Sequence, residues 1–249
     1  MPKFCANLTW LFKELPMIER VRAASEAGFA AVEILFPYDV NAQELRDACV
    51  IHGVKMALIN SPPPNYTGGE QGWAAVPELE SRFRRDWARV MRYAGVLKPQ
   101  MLHIMSGVAE GPEAEACFIG NLQWACAEAK GLPITIEVIN RKTMPGYFLH
   151  DYDQAARIIE AVGAPNLALQ LDTFHAHQIT GNAMAVWEAH SSLVGHIQVG
   201  NGDDRHEPAA APFDHPAFFK RLDAEGYEGW VSGEYEPKAT TQEGLRWIR

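Results

Sequence analysis

The sequence predicts an α/β fold, a single (β/α)8 TIM barrel spanning residues 1–249. Three observations carry that expectation. Short apolar runs alternate with longer segments of helical period, which implies a parallel sheet with crossover helices. The strand–helix unit recurs eight times, the number that closes into a barrel. The length of 249 residues matches the roughly 250 residues of one such barrel, and no segment has the composition of a linker.

The elements follow in order. Residues 3–8 form the first strand, and a helix over 15–27 carries Leu15, Ile18, Val21 and Ala24 on one stripe before Gly28 stops it. A strand at 30–35 leads to a helix at 41–52 that starts from Asn41, a good cap. The third strand, 54–59, and a long loop at 61–76 precede a helix at 77–95. That helix opens on Pro77 and Glu78 and closes at Gly95, the usual asymmetry of helix ends. Strands at 100–105, 134–139, 167–171, 194–199 and 229–232 alternate with helices at 113–130, 151–162, 181–190, 215–225 and 240–248. The last helix is short, which leaves a frayed end or packing against a second copy, a homo-oligomer, as its options. No glycine-rich phosphate loop follows any strand, so a nucleotide-binding doubly wound sheet has no support.

Charge and composition exclude other classes. With 22 Lys and Arg against 31 Asp and Glu, the net charge is -9. Such a chain repels polyanions, and without a basic cluster nucleic acid is not an expected partner. A mean hydropathy of -0.17 and the lack of a long uncharged apolar run argue against a membrane-spanning helix. Cys5, Cys49, Cys117 and Cys126 have neither CxxC nor zinc-finger spacing. They read as reduced thiols of a cytoplasmic protein, and the N-terminus carries no secretory leader.

Strands of a parallel barrel are covered on both faces and should read as apolar runs. The late strands break this rule near their C-terminal ends. "ITIEVIN" holds Glu137, "LALQLDTFH" holds Asp172 and His175, "VGHIQVGN" alternates His196 and Gln198, and "GWVSGEYEP" ends in Glu234. Any one buried carboxylate has an ordinary explanation as a structural ion pair. Four polar residues on four consecutive strands, at the end where barrel active sites sit, form a pattern. Carboxylates converging in one mouth repel unless a cation is present. An oxygen-only set, Glu137, Asp172, Gln198 and Glu234, favours a hard divalent ion, Mg²⁺ or Mn²⁺, over zinc. Glu137 and Glu234 flank a substrate lying across the mouth, as proton abstraction beside a metal-polarised carbonyl requires. No GxSxG elbow supplies a nucleophile for acyl transfer.

At these residues the chain resembles the hydroxypyruvate isomerase family of the xylose isomerase-like barrels. The resemblance runs through "ANLTWLF" (6–12), "GFAAVEILFPYD" (28–39), "IEVIN" with "MPGYFL" (136–140, 144–149), "LQLDTFH" (169–175), "GHIQVGN" (195–201) and "GEYEPKATTQEGLRW" (233–247). It implies that Glu137 and Glu234 are the acid/base pair and that Glu137, Asp172, Gln198 and Glu234 surround the metal. It also implies that His175, on the loop after the sixth strand, contacts substrate oxygens. The segment "DDRHEPAAAPFD" departs from the family's Arg-Gly-Glu-Pro-Gly stretch, with His206 and Ala209 replacing glycines. Arg205 remains, a planar fork suited to a substrate carboxylate or hydroxyl. In "LINSP", Ile59 stands where relatives commonly carry a His, while Asn60 stays in position to line the pocket.

Other residues have competing readings. Glu33 is a substrate contact or the structural partner of an inward Arg or Lys. His103 is a satisfied core histidine or an inward hydrogen bond to substrate, and His196 a group that orients ligands. The loop 61–76 exceeds normal βα connections and reads as a lid, with Tyr66, Glu70 and Trp73 as substrate contacts, or as a subunit interface. Trp87 and Tyr93 read as core packing.

The leading expectation is therefore an isomerase that shifts a carbonyl between adjacent carbons of a small hydroxy-oxo acid, hydroxypyruvate to tartronate semialdehyde. A 2-oxo-tetronate isomerase would use the same residues. A ketose 3-epimerase usually has a His where Gln198 stands. A metal-dependent abasic-site endonuclease needs more His ligands and a basic face, and a non-catalytic binding barrel completes the alternatives.

Overall fold

The computed structural model describes residues 1–63, 65 and 71–248. Its strands are β1 (Lys3–Asn7), β2 (Ala31–Glu33), β3 (Lys55–Met56), β4 (Leu58–Ser61), β5 (Met101–Ile104), β6 (Ile134–Glu137), β7 (Leu167–Asp172), β8 (Val194–Val199) and β9 (Trp230–Gly233). All pair in parallel, in the order β3-β2-β1-β9-β8-β7-β6-β5-β4. The expected third strand is divided at Ala57: β3 pairs with β2 and β4 with β5. Across this seam Ile34 N donates to Leu58 O (3.2 Å), Ala57 N to Val32 O (2.7 Å) and Asn60 N to Leu35 O (2.8 Å). Among the described residues, nine strand segments thus make a nearly closed eightfold barrel.

The helices α1 (Met17–Glu26), α2 (Ala42–Ile51), α3 (Glu80–Leu97), α4 (Gly111–Glu128), α5 (Tyr152–Val162), α6 (Thr173–Thr180), α7 (Ala183–His190), α8 (His215–Ala224) and α9 (Thr241–Gly244) surround it. Element ends shift by a few residues throughout, and three departures bear on the fold. Gly95 does not end α3, which runs to Leu97 and stops at left-handed Lys98 (φ 59°). Burial of Leu97 supports the extra residues against the roughly 1 kcal/mol that an interior glycine costs. After β7 the chain forms α6 at once rather than a loop, because the Asp172 side chain caps it and left-handed Gly181 ends it. The final segment is not frayed through residue 248. A Thr240–Glu243 capping box starts α9, and Trp247 packs on Phe4, Phe219 and Tyr235 with ring centroids 5.1, 6.1 and 6.0 Å away.

Because side chains alternate along a strand, apolar residues such as Ile136, Leu169, Leu171, Ile197 and Val231 pack outward under the helices. Their neighbours turn inward, and toward the C-terminal ends those neighbours are polar: Asn7, Glu33, His103, Thr135, Glu137, Gln170, Asp172, His196, Gln198 and Ser232, all buried. The apolar core is the layer between sheet and helices. One end of the barrel interior is built of hydrogen bonds.

Candidate active site

Strand register brings the predicted residues to one rim. Glu137 lies opposite Gln170 on β7, Asp172 opposite Gln198 on β8, and Gln198 opposite Ser232 on β9. Glu234 follows β9, its backbone N–H donating to Val199 O at 3.0 Å. Gly200 is required there, since a Cβ on it would lie 2.8 Å from Glu234 O.

Each of the three rim carboxylates has one oxygen tied to the scaffold. Glu137 Oε2 accepts from Gln170 Nε2 (3.2 Å), Asp172 Oδ1 from Phe174 N (2.8 Å) as the cap of α6, and Glu234 Oε2 from Asn7 Nδ2 (2.9 Å). The second oxygens turn to a common centre. Arg205 Nη2 donates to Asp172 Oδ2 (3.0 Å) and Glu234 Oε1 (2.6 Å). His175 Nε2 lies 3.6 Å from Asp172 Oδ2 and 3.8 Å from Glu137 Oε1. Among the described residues, Glu137, Asp172 and His175 form a group close enough to share an ion, their ligand atoms within 4.8 Å of one another.

The tied oxygens belong to a directed hydrogen-bond layer. Thr135 Oγ1 donates to Gln170 Oε1 (3.0 Å), which leaves Gln170 Nε2 to donate to Glu137 and to Gln198 Oε1 (2.7 Å). Gln198 Nε2 then donates to Glu33 Oε1 (2.8 Å), where Asn7 Nδ2 also donates (2.8 Å), and His196 Nε2 donates to Glu33 Oε2 (2.6 Å). Asn7 is oriented by Thr9 N, which donates to its Oδ1 at 3.0 Å. Glu33 is thus a structural anchor, but its partners are amides and an imidazole rather than the expected Arg or Lys. His196 contacts this anchor and not the rim carboxylates. A satisfied amide network of this kind fixes geometry without placing a second full charge beside the first.

Arg205 sits on the loop over 200–213 in the left-handed region (φ 55°), a conformation that costs a non-glycine residue about 1–3 kcal/mol. Its backbone is held by Arg205 N donating to Asn201 O (3.1 Å) and Glu236 N donating to Arg205 O (2.9 Å). The guanidinium lies between the rings of Trp10 (5.0 Å) and Phe174 (4.9 Å). The loop therefore points its cation inward despite the lost glycines.

Burial pushes the rim carboxyls toward their protonated forms. Glu137 rises well above the usual range through burial, reinforced by the charges of Glu234 and Asp172. Burial lifts Asp172 to about 6, against the pull of Arg205 and the Phe174 N–H. Glu234 rises to about 8 by burial, partly countered by Arg205. These groups titrate as a set. A carboxyl whose pKa is raised on folding contributes stability that is present below its unfolded value, roughly 4, and lost as pH rises through the folded value. Metal-free protein should therefore lose melting temperature between about pH 5 and pH 8, a window set by Asp172 and Glu234. Thermal melts in EDTA, set beside Glu234→Gln, measure this. A wild-type curve that rises relative to the variant across that window would mean that Arg205 holds all three as anions.

Of the residues expected at the site, Glu137, Asp172, Gln198, Glu234, His175 and Arg205 come together. His175 lies in the first turn of α6 rather than on a loop, placed there by the cap that Asp172 provides. Asn60, at the end of β4, meets the site through His103: its Oδ1 is 3.2 Å from His103 Nδ1, and His103 Nε2 is 3.9 Å from Glu137 Oε2. His103 is therefore more than a satisfied core residue, since among the described residues its Nε2 has no hydrogen-bond partner. Burial, then the proximity of His196, lowers it to about 3. Glu70 and Tyr66 lie outside the described residues. Trp73 belongs to the apolar core. It is buried with Nε1 donating to Asp86 (3.1 Å) and Arg82 over its ring (3.8 Å), because the loop's end packs under α3. Trp87 is core as expected, and Tyr93 donates to Pro37 O and Val40 O.

Sequence reasoning missed Asn7, Gln170 and Asn140. Gln170 had a visible signal, since it stands two residues before Asp172 and so shares its face. A cavity of about 700 Å³, lined by Phe4, Pro216, Phe219 and Trp247 among others, lies away from the rim carboxylates and holds none of these groups.

Residues 21–249 match the family described as xylose isomerase-like TIM barrel. A 2-oxo-tetronate isomerase of Cupriavidus necator is 38% identical over 255 residues, covering 100% of this chain and 98% of its own. Hydroxypyruvate isomerase of Escherichia coli (strain K12) is 32% identical over 257 residues, covering 100% and 98%. A crystal structure from Brucella melitensis, described as AP endonuclease, family 2, matches with a TM-score of 0.95 at 38% identity, covering 100% of this chain and 98% of that one.

Proposed function

Because this chain belongs to the xylose isomerase-like TIM barrel family, we propose that it is an isomerase of small 2-oxo hydroxy acids, working by a 1,2 carbonyl shift. The observation that carries the reading is the split role of the carboxylates: one oxygen of Glu137, Asp172 and Glu234 is tied to the scaffold, the other faces a shared centre. Two of them, Glu137 at the end of β6 and Glu234 just after β9, stand on either side of Asp172 in the strand order. One glutamate takes the proton from the hydroxyl-bearing carbon to give an enediolate, the hydroxyl proton passes to the former carbonyl oxygen, and the other glutamate delivers a proton to the neighbouring carbon, so the carbonyl moves by one carbon with no net change in composition. Carboxyls lifted by burial toward neutrality suit both roles. Arg205 grips the substrate carboxylate, and Asn60 and His175 line the pocket, with Glu70 on the loop 61–76 as a further contact.

The donor chemistry fits a divalent cation. Glu137, Asp172 and Glu234 crowd one mouth around Arg205, and Gln198, opposite Asp172 in the strand register, keeps a lone pair on Oε1 beyond its bond from Gln170. Glu137, Asp172, Gln198 and Glu234 would hold the ion, and an oxygen set favours Mg²⁺ or Mn²⁺. What such a cation supplies is polarisation of the carbonyl and relief of negative charge as the enediolate forms. Divalent ion should also restore the melting temperature lost between about pH 5 and pH 8, since binding displaces the same protons.

Hydroxypyruvate and 2-oxo-tetronate differ by one CHOH group, and the residues above serve either. Relatives named for each acid overlap in identity, 36–38% for 2-oxo-tetronate isomerases and 32–40% for hydroxypyruvate isomerases and putative ones, so similarity favours neither acid. The test is a D₂O exchange assay on three- and four-carbon hydroxy-oxo acids, with and without chelator. Solvent deuterium should appear at the carbon next to the carbonyl in one of them, and chelation should abolish it. Absence of exchange with every acid, in protein reloaded with Mg²⁺ or Mn²⁺, rejects the isomerase reading. Cleavage of abasic DNA would instead favour the activity for which the Brucella structure is described, against a net charge of -9.

A further inference from the structure

Asn140 lies three residues beyond β6 and is buried. Its Oδ1 accepts from Lys142 N (3.1 Å), Thr143 N (2.9 Å) and Thr143 Oγ1 (3.1 Å). The amide orientation is fixed by these donors, because a flipped side chain would set its NH₂ against two backbone N–H groups. Asn140 Nδ2 therefore faces His175 Nδ1, at 2.7 Å, and the Asn140 backbone N–H approaches the same nitrogen at 3.4 Å.

Two donors on Nδ1 make it an acceptor. A neutral imidazole with an accepting Nδ1 carries its proton on Nε2, and an imidazolium, with a proton on both nitrogens, would collide with both Asn140 donors. The Nε2–H points to the centre shared by Asp172 Oδ2 (3.6 Å) and Glu137 Oε1 (3.8 Å). A nitrogen that bears a proton has no in-plane lone pair for a metal. Proximity alone makes His175 look like a ligand; the hydrogen bonds on its far side exclude it.

We propose that Asn140 is a positioning residue that locks His175 as the Nε2–H tautomer, barring it from a metal's ligand set and aiming a hydrogen-bond donor at a substrate oxygen. The donor's target rests on the isomerase reading above; the tautomer does not. During proton removal from the adjacent carbon, negative charge grows on that oxygen, and a preorganised neutral donor stabilises it without reorganising.

The test uses the full chain with ¹⁵N-labelled histidine, metal-free, with long-range ¹H–¹⁵N spectra. The His175 resonances are identified by their loss in His175→Gln. Wild type should show a pyridine-type Nδ1 and a pyrrole-type Nε2. Asn140→Asp keeps an oxygen for the Lys142 and Thr143 donors but presents an acceptor to Nδ1, so the pattern should reverse. Carboxylate–histidine pairs of that kind support zinc binding, so the affinity of N140D for Zn²⁺ alone, measured by calorimetry, should rise. Its kcat should fall about 10²–10³-fold, the usual loss for one such donor. N140A, which keeps the backbone donor, should retain the wild-type tautomer. A pyrrole-type Nδ1 in wild type overturns the proposal, as does an unreversed pattern in folded N140D. If N140D does not fold, the wild-type spectrum decides. The expected tautomer together with no deuterium exchange on any acid would reject the isomerase reading and leave the Asn140 assignment intact.

Discussion

Glu137→Gln and Glu234→Gln should each lower turnover of the hydroxy-oxo acid by about 10²–10⁴-fold, the span of general acid–base catalysis. Glutamine keeps size and one oxygen, so a ligand or scaffold contact survives while the proton-carrying capacity is lost. The two substitutions need not look alike in isotope exchange. If one glutamate removes the proton and the other returns it, one variant should still wash deuterium into substrate while forming little product, and the other should do neither. Rapid-quench NMR in D₂O reads both at once. Retention of more than about a tenth of wild-type turnover in both variants would reject the pair as acid and base, since even the weak end of the span is 10²-fold.

The second large effect is structural. Glu33→Leu should lower the melting temperature by roughly 10 °C. Glu33 accepts from Asn7, Gln198 and His196, and leaving buried donors unpaired costs about 1–3 kcal/mol each. At about 2–4 °C per kcal/mol for a domain of this size, three such losses reach that figure even after the added leucine packs favourably. Activity should fall with stability, because Asn7 and Gln198 in turn position Glu234 and the rim amide. Differential scanning calorimetry measures the first effect and steady-state kinetics at a temperature well below melting the second. A shift under about 2 °C with full activity would mean that water replaces the carboxylate and that Glu33 anchors nothing.

Much of the fold was legible because barrel strands obey a local rule. A parallel strand covered on both faces must be apolar, so Glu137, Asp172, Gln198 and Glu234 stood out as exceptions at the right ends of the right strands. Local signals also explain the departures. Gly95 reads as a stop, yet the burial of Leu97 carries α3 past it. Asp172 reads as a ligand, yet it is at the same time the cap of α6, which moves His175 from a loop into a helical turn. Both are cases in which one residue serves two layers, and sequence pattern shows one layer at a time.

By itself, the sequence determined the eight strand–helix units, the inward face of each strand and the rim where acidic residues gather. These depend on the periodicity of side chains along a single element, which any short window contains. What the tertiary structure alone decided is which of those residues meet. Asn7 joins Glu33 to Glu234, Glu33 receives His196 and Gln198 from the opposite side of the barrel, and Arg205 reaches over to Asp172 and Glu234. The direction of every amide in that layer was likewise invisible, including the Asn140 that orients His175. Hydrogen-bond partners are chosen by distance and angle after the barrel closes, across separations as large as the 227 residues from Asn7 to Glu234. Periodicity along one strand holds no record of them.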